Sequence, residues 1–171
     1  SPTTPQGFKS NTQPQGSFLP PMNPIEIALG VTNASFVAQT AEWAPAHMYA
    51  TLQAAYKHKG FSFVRILQRC PVFTPLIFQK AVKDPARIQL LVHDEGVVAP
   101  ELDKIYARKV QHDPLDLAAA RAMAEQTEFI NLGLFFKDPS RPRYEDTRRV
   151  PPKTPAERVQ LLEKEFARYA V

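Results

Sequence analysis

The chain has 171 residues, 44% of them hydrophobic, which suits a globular chain with one ordinary core or a small core plus an appended lobe. Its net charge of +4 is spread along the sequence, which argues against a nucleic-acid-binding protein. No apolar run approaches a membrane span and no signal peptide is evident, so we expect no membrane association and a cytoplasmic location. The single cysteine, Cys70, excludes an intrachain disulfide framework.

The first 22 residues contain five prolines and two glycines and have no hydrophobic period, so they predict a loop. Regular structure is expected from Asn23, which can cap a helix that has Pro24 in its first position and Glu26 at capping-box spacing. Residues 35–40 then predict a strand. Because no strand or helix precedes the loop, we interpret the chain as one that begins in mid-fold.

A second helix is predicted from Pro45 to a stop at Gly60, followed at once by a strand over residues 61–68 that is apolar on both faces. Helix, strand, helix, strand is typical of the back half of a doubly wound α/β sheet. His47 and His58 lie at the two ends of the predicted helix, where a solvated position is the ordinary expectation.

The remaining sequence predicts a smaller, mixed α/β lobe or arm. Its expected elements are strands at 87–93 and 129–136 and helices at 100–110, at 114–127 with Asp113 as cap, and from the capping box Thr154–Glu157 onward. The last helix carries an apolar stripe made of Val159, Leu162, Phe166 and Tyr169. We therefore expect one domain over residues 1–75 and an arm over residues 76–171 that packs on it and on partner subunits.

The sequence has no glycine-rich phosphate loop, HExxH motif, paired cysteines or nucleophile elbow. Adjacent residues in His93-Asp94-Glu95 and His112-Asp113 point in different directions, so surface or capping roles are expected for them. Cys70 is a stronger candidate because it follows a buried strand, where α/β proteins place their sites. From the residues alone it is a small buried side chain, a metal ligand or a reactive thiol.

Five segments together resemble the β subunits of 2-oxoacid:ferredoxin oxidoreductases. They are SPTTPQG from Ser1, NPIEIALGVTNASFVAQ from Asn23, HKGFSFVRILQRCPVFTP from His58, HDPLDLAAARAMA from His112 and LGLFFKDPSRPRYED from Leu132. The last segment is most similar to the 2-oxoglutarate branch. The resemblance implies the C-terminal half of a domain that binds thiamine diphosphate, in a subunit that works with an upstream half and an α subunit.

The resemblance also implies oxidative decarboxylation of a 2-oxoacid with coenzyme A, with electrons passing through a [4Fe-4S] cluster to ferredoxin. Cys70 matches the late cluster ligand of the family, and Ser1, Pro2, Thr3 and Thr4 match a loop close to thiamine diphosphate or the substrate. The motif that binds Mg²⁺ and diphosphate in the family is not in this sequence, nor are the other three cluster cysteines.

Two functional hypotheses follow. The first is a part of a catalytic subunit that contributes half a sheet, one iron ligand and a C-terminal arm. The second is a non-catalytic assembly or interaction module that keeps the family fold. In the first case the basic segment over residues 141–153, with five basic and two acidic side chains, is a solvated loop or a guide for an acidic ferredoxin.

Overall fold

A computed structural model describes residues 2–148 and 153–169 of the chain. The five strands are β1 (Ala34–Ala41), β2 (Phe61–Leu67), β3 (Ile88–Val92), β4 (Lys109–Gln111) and β5 (Ile130–Lys137). The six helices are α1 (Pro24–Gly30), α2 (Pro45–Lys57), α3 (Gln79–Lys83), α4 (Leu117–Glu125), α5 (Tyr144–Thr147) and α6 (Pro155–Tyr169).

The strands form one sheet in the order β2-β1-β5-β3-β4. β1 is parallel to β2, and β3 is parallel to both β4 and β5. The exception is the pairing of β1 with β5, which is antiparallel. The predicted α/β fold class is confirmed, because the sheet is mostly parallel and alternates with helices along the chain.

Both faces of the sheet are buried. On one face Val37, Leu91 and Phe135 pack with apolar residues of α1 and α4. On the other face Phe36, Ala38 and Leu134 pack near the alanines of α2. Every residue of β1 is buried, as expected for a strand covered by helices on both sides. β2 lies at one end of the strand order, and most of its residues are only partly buried.

Several sequence predictions are confirmed at the residue level. Asn23 caps α1 by accepting a hydrogen bond from the Ile25 amide, and α2 ends just before Gly60, whose φ is +129°. Thr154 and Glu157 form the predicted capping box at the start of α6.

Other predictions are wrong. Residues 100–110 form a short 3₁₀ turn and strand β4 rather than a helix, and α4 is capped by Asp116 rather than Asp113. The amides of Ala118 and Ala119 both donate to the Asp116 carboxylate, whereas Asp113 accepts from Leu115 in the preceding turn. Two aspartates three residues apart both suit a cap, so the sequence alone favoured the wrong one.

The histidines are also not where solvent exposure was expected. His47 is 3% exposed, and its Nδ1 lies 2.9 Å from Thr40 Oγ1 and 3.3 Å from Thr51 Oγ1. His112 is 4% exposed, with Nε2 lying 2.7 Å from the Phe135 carbonyl oxygen. His58 is partly buried beside Ser35 and the Phe36 ring. The ring of each of the three histidines lies close to a polar partner inside the protein rather than in solvent.

The chain divides into two compact units, Ser1–Arg141 and Pro142–Val171. The first contains the whole sheet, and strands from both sides of the expected boundary at residue 75 take part in it. That boundary stays a prediction. In the second unit, α6 exposes the apolar stripe Val159, Leu162 and Phe166 to solvent. Across the described ranges, no helix is long and apolar enough to cross a membrane.

Candidate functional site

A cleft of about 480 Å³ lies beside the carboxyl-terminal part of β2, and we call it the β2 cleft. Three segments form its wall: the N-terminal loop, the end of β2 with the turn after it, and the residues leading into α3. Its lining residues are Thr3, Thr4, Phe8, Ser10, Thr12, Gln13, Arg65, Ile66, Leu67, Gln68, Cys70, Phe73, Thr74, Ile77 and Phe78. The cleft thus brings Cys70 together with two of the N-terminal residues that the sequence singled out.

Cys70 lies in the turn that follows β2. The Phe73 amide donates to its Sγ over 3.5 Å, and the Thr74 amide donates to its backbone carbonyl over 3.0 Å. Backbone amides of Phe73, Val72 and Thr74 hold the pKa of the Cys70 thiol below its ordinary value, against a smaller opposing effect of burial. The turn therefore favours a thiolate, which is the form that binds metals and acts as a nucleophile.

The N-terminal loop is tied closed by backbone hydrogen bonds. The Met22 amide donates to the Pro2 carbonyl over 2.8 Å, and the Gly7 amide donates to the Ser17 carbonyl over 2.8 Å. This closure brings Thr3 and Thr4 to the cleft wall, whereas Pro2 is not among the lining residues. Ser1, the fourth residue predicted near the cofactor, lies outside the described residues.

Arg65 was not singled out by the sequence analysis, yet it lines the cleft. It is partly buried, and that burial lowers the pKa of its guanidinium. The signal in the sequence was a single charged residue inside the mostly apolar strand Phe61–Leu67. A charged side chain is unusual in such a strand, because burying a cation without an anionic partner is unfavourable.

Arg69 lies four residues further on and makes a useful contrast. Its Nε donates to Glu42 Oε1 over 2.5 Å, and its guanidinium lies 5.7 Å from the centre of the Trp43 ring. Arg69 is not one of the residues that line the cleft. The charge of Arg69 is therefore neutralised by Glu42, close to the C-terminal ends of β1 and β2.

A second cavity, of about 360 Å³, lies beside β3 and includes His47, His93 and Asp94. His93 Nε2 is 3.9 Å from Asp113 Oδ1, too long for a hydrogen bond, and the Glu95 amide donates to His93 Nδ1 over 3.1 Å. Within residues 2–148 and 153–169 there is no group of three or more His, Cys, Asp and Glu side chains that could hold a metal ion. The β2 cleft is the better candidate, because it contains a thiol that accepts a backbone hydrogen bond and a partly buried cation.

Comparison with known proteins shows that the chain is similar to the β subunits suggested by its motifs. It is 35% identical over 100 residues to the 2-oxoglutarate oxidoreductase subunit KorB of Mycobacterium tuberculosis, covering 57% of this chain and 26% of that protein. It is 26% identical over 170 residues to the 2-oxoacid:ferredoxin oxidoreductase subunit beta of a Sulfolobus species, covering 96% of this chain and 52% of that protein. A scan of protein-family models found no match.

The fold is also similar to a solved structure, the 2-oxoglutarate:ferredoxin oxidoreductase of Magnetococcus marinus with 2-oxoglutarate, coenzyme A and succinyl-CoA bound. The TM-score is 0.64 at 23% identity, over 95% of this chain and 51% of that one. The chain thus spans between a quarter and about half of the length of the relatives named here. These findings confirm the predicted resemblance: the chain is homologous to part of the β subunits of 2-oxoacid:ferredoxin oxidoreductases.

Proposed function

We propose that the chain is part of the catalytic β subunit of an enzyme that oxidatively decarboxylates a 2-oxoacid, with 2-oxoglutarate as the first substrate to test. In this proposal coenzyme A accepts the acyl group, ferredoxin accepts the electrons, and the enzyme acts in the cytoplasm. The rest of the subunit and an α subunit complete the active site. Support comes from the relatives, several of which are named 2-oxoglutarate synthase or oxidoreductase subunits.

The observation that carries the proposal is the environment of Cys70. An iron–sulfur cluster is held by thiolates, and hydrogen bonds to the sulfurs tune its reduction potential. The Cys70 turn fits this role, since the Phe73 amide points at Sγ and the neighbouring amides lower the thiol pKa. We propose that Cys70 is one ligand of a [4Fe-4S] cluster, whose other ligands lie outside this chain.

Thiamine diphosphate supplies, when bound, the nucleophilic carbon that attacks the 2-oxo group of the substrate. Our proposal for this chain is limited to the loop residues Thr3 and Thr4, which line the β2 cleft. Ser1 and Pro2 belong to the same proposed loop contact. For Mg²⁺ we assign no residue, because the described residues contain no cluster of acidic or histidine side chains that fits a metal ion.

The chain also offers surfaces for the proposed partners. In α6, Val159, Leu162 and Phe166 form an exposed apolar stripe of the kind that packs against another subunit. Arg148 belongs to the basic segment proposed to guide ferredoxin, and its guanidinium lies 5.5 Å from the Tyr144 ring centre. Arg149, the other arginine expected to take part, lies outside the described residues. We propose that the C-terminal arm contacts the partner subunits and that the basic segment guides ferredoxin to the enzyme.

Cys70→Ser tests the proposal in the full subunit, purified natively and anaerobically with its partners. We expect the wild-type assembly to contain about four iron and four acid-labile sulfide atoms per β subunit beyond any partner's share. The variant is expected to lose or alter the paramagnetic signal of this cluster, because serine replaces the thiolate ligand. Chemical analysis and electron paramagnetic resonance measure both quantities.

Thr74→Ser serves as the matched control, since it also changes a side chain at the cleft but keeps a hydroxyl and leaves the thiol in place. An unchanged signal and unchanged iron content in Cys70→Ser would rule out ligation by Cys70. A wild-type assembly without iron or sulfide would favour the second hypothesis, a non-catalytic module with the family fold.

A further inference from the structure

The described wall of the β2 cleft contains an arginine and no carboxylate. Among its described lining residues, Arg65 and Cys70 are the ionisable side chains, and no aspartate or glutamate is present. The remaining polar wall residues carry neutral hydroxyl or amide groups, all of which can donate hydrogen bonds: Thr3, Thr4, Ser10, Thr12, Gln13, Gln68 and Thr74. Such a wall suits a negatively charged ligand.

Arg65 has no hydrogen-bond or ion-pair partner among the described residues. Arg69, the other partly buried arginine of the described chain, is paired with Glu42. No hydrogen bond joins Arg65 to Cys70, whose Sγ accepts from the Phe73 amide. An arginine keeps its proton in a protein, so an anion bound in the cleft would match the charge of Arg65.

The position of Arg65 also gives a ligand access to it. β2 is the end strand of the sheet, and residues from both of its faces line the cleft. Arg65 pairs in register with Gln39 of β1. The Gln39 Nε2 donates to the Asn131 carbonyl, whereas its Oε1 is buried without a partner in the described structure. The residue of β1 in register with Arg65 is therefore an uncharged amide rather than a carboxylate.

We propose that the β2 cleft is an oxyanion site in which the Arg65 guanidinium binds a carboxylate or phosphate group of a small ligand. A planar guanidinium binds two oxygens of either group at once, and the surrounding hydroxyl and amide groups complete the binding of the anion. The site itself follows from Arg65 and the cleft wall. It rests on the proposed function only for the choice of ligands to be tested.

The experiment uses the full subunit assembled with its partners and transferred into chloride buffer. Binding of 2-oxoglutarate and, separately, of inorganic phosphate is measured by isothermal titration calorimetry. We expect Arg65→Gln to weaken one of these probes by about ten-fold or more, the usual effect of losing a charge-assisted hydrogen bond. Loss of 2-oxoglutarate binding identifies a carboxylate site, and loss of phosphate binding identifies a phosphate site.

Arg69→Gln is the matched control, because it removes the same charge four residues away without altering the cleft wall. Its affinity for both probes is expected to equal that of the wild type. Arg65→Lys, which keeps the charge but not the two-pronged donor, is expected to bind with intermediate affinity. It also provides the test if Arg65→Gln fails to fold, which thermal unfolding would reveal.

Equal affinities of Arg65→Gln and wild type for both probes, or no binding of either probe to the wild type, would overturn the proposal. The second result is expected if a carboxylate from elsewhere in the assembly already pairs with Arg65. Iron and sulfide are measured on the same samples. Two results would separate this proposal from the proposal for Cys70. One is a loss of anion binding in Arg65→Gln with the cluster intact, and the other is anion binding by an assembly that contains no iron.

Discussion

Two polar regions of the sheet are treated differently by the fold. In the middle of the sheet, Gln89 Nε2 donates to Asn131 Oδ1 over 2.9 Å, Asn131 Nδ2 donates to the Met123 carbonyl, and Gln39 Nε2 donates to the Asn131 carbonyl. At the end strand, by contrast, Arg65 meets no acceptor among the described residues. The polar side chains in the middle of the sheet therefore hold strands and α4 together, whereas the cation in the β2 cleft has no partner among the described residues.

The largest effect is expected from a substitution in the middle of the sheet. Gly133 has φ +140°, and an added Cβ would lie 2.8 Å from Leu91 Cβ and 2.9 Å from the Leu91 carbonyl oxygen. Gly133→Ala should lower the free energy of unfolding by about 3 kcal/mol or more, through backbone strain and steric overlap. Urea denaturation measures the change. Gly30→Ala is the control, since nothing lies within 4 Å of its added Cβ, and a similar loss in both variants would contradict the argument.

The next prediction compares an amide from each region. Asn131→Ala removes the acceptor of Gln89 and the donor to the Met123 carbonyl, leaving two buried groups unpaired. We expect a loss of about 2–3 kcal/mol in the free energy of unfolding. Gln68→Ala, in the cleft wall, should change it by no more than about 0.5 kcal/mol. Equal losses in the two variants would mean that the regions do not differ in the way proposed.

The third prediction concerns acid. Burial lowers the pKa of His47 from 6.5 to about 4, so the folded protein resists a proton that the unfolded chain accepts below pH 6.5. Stability from the neutral imidazole is therefore present above pH 6.5 and is lost as the pH falls toward 4. Between pH 7.5 and 4.5 the wild type should lose about 2 kcal/mol more than His47→Gln. Urea unfolding at both values measures this, and parallel losses would show that His47 does not titrate in this range.

Several element boundaries were predictable because periodicity and caps are local. Asn23 and Pro24, Gly60, and the Thr154–Glu157 box mark boundaries that the structure confirms. The antiparallel pairing of β5 with β1 was not foreseen, since strand direction depends on where a distant segment returns. The error over residues 100–110 has a similar origin, because β4 is only three residues long and is stabilised by its pairing with β3.

The candidate site was predictable in part. The position of Cys70 after a strand made it a candidate, and the cleft brings it together with Thr3 and Thr4. The roles expected for these residues stay predictions. Arg65 was missed because its role depends on the lack of a counter-ion in three dimensions, which no local pattern reveals. The burial of His47 was missed for the same reason, since its partner Thr40 comes from a neighbouring strand.

The antiparallel pairing of β1 with β5 has a consequence for how such a protein can diverge. It sets β1 and β2 against the direction of β3, β4 and β5, so the loops after the two groups of strands leave from opposite rims of the sheet. Insertions after β3 or β4 would lengthen one rim without displacing the Cys70 turn on the other. Selection can therefore remodel one rim for new contacts while the Cys70 turn on the opposite rim keeps its geometry.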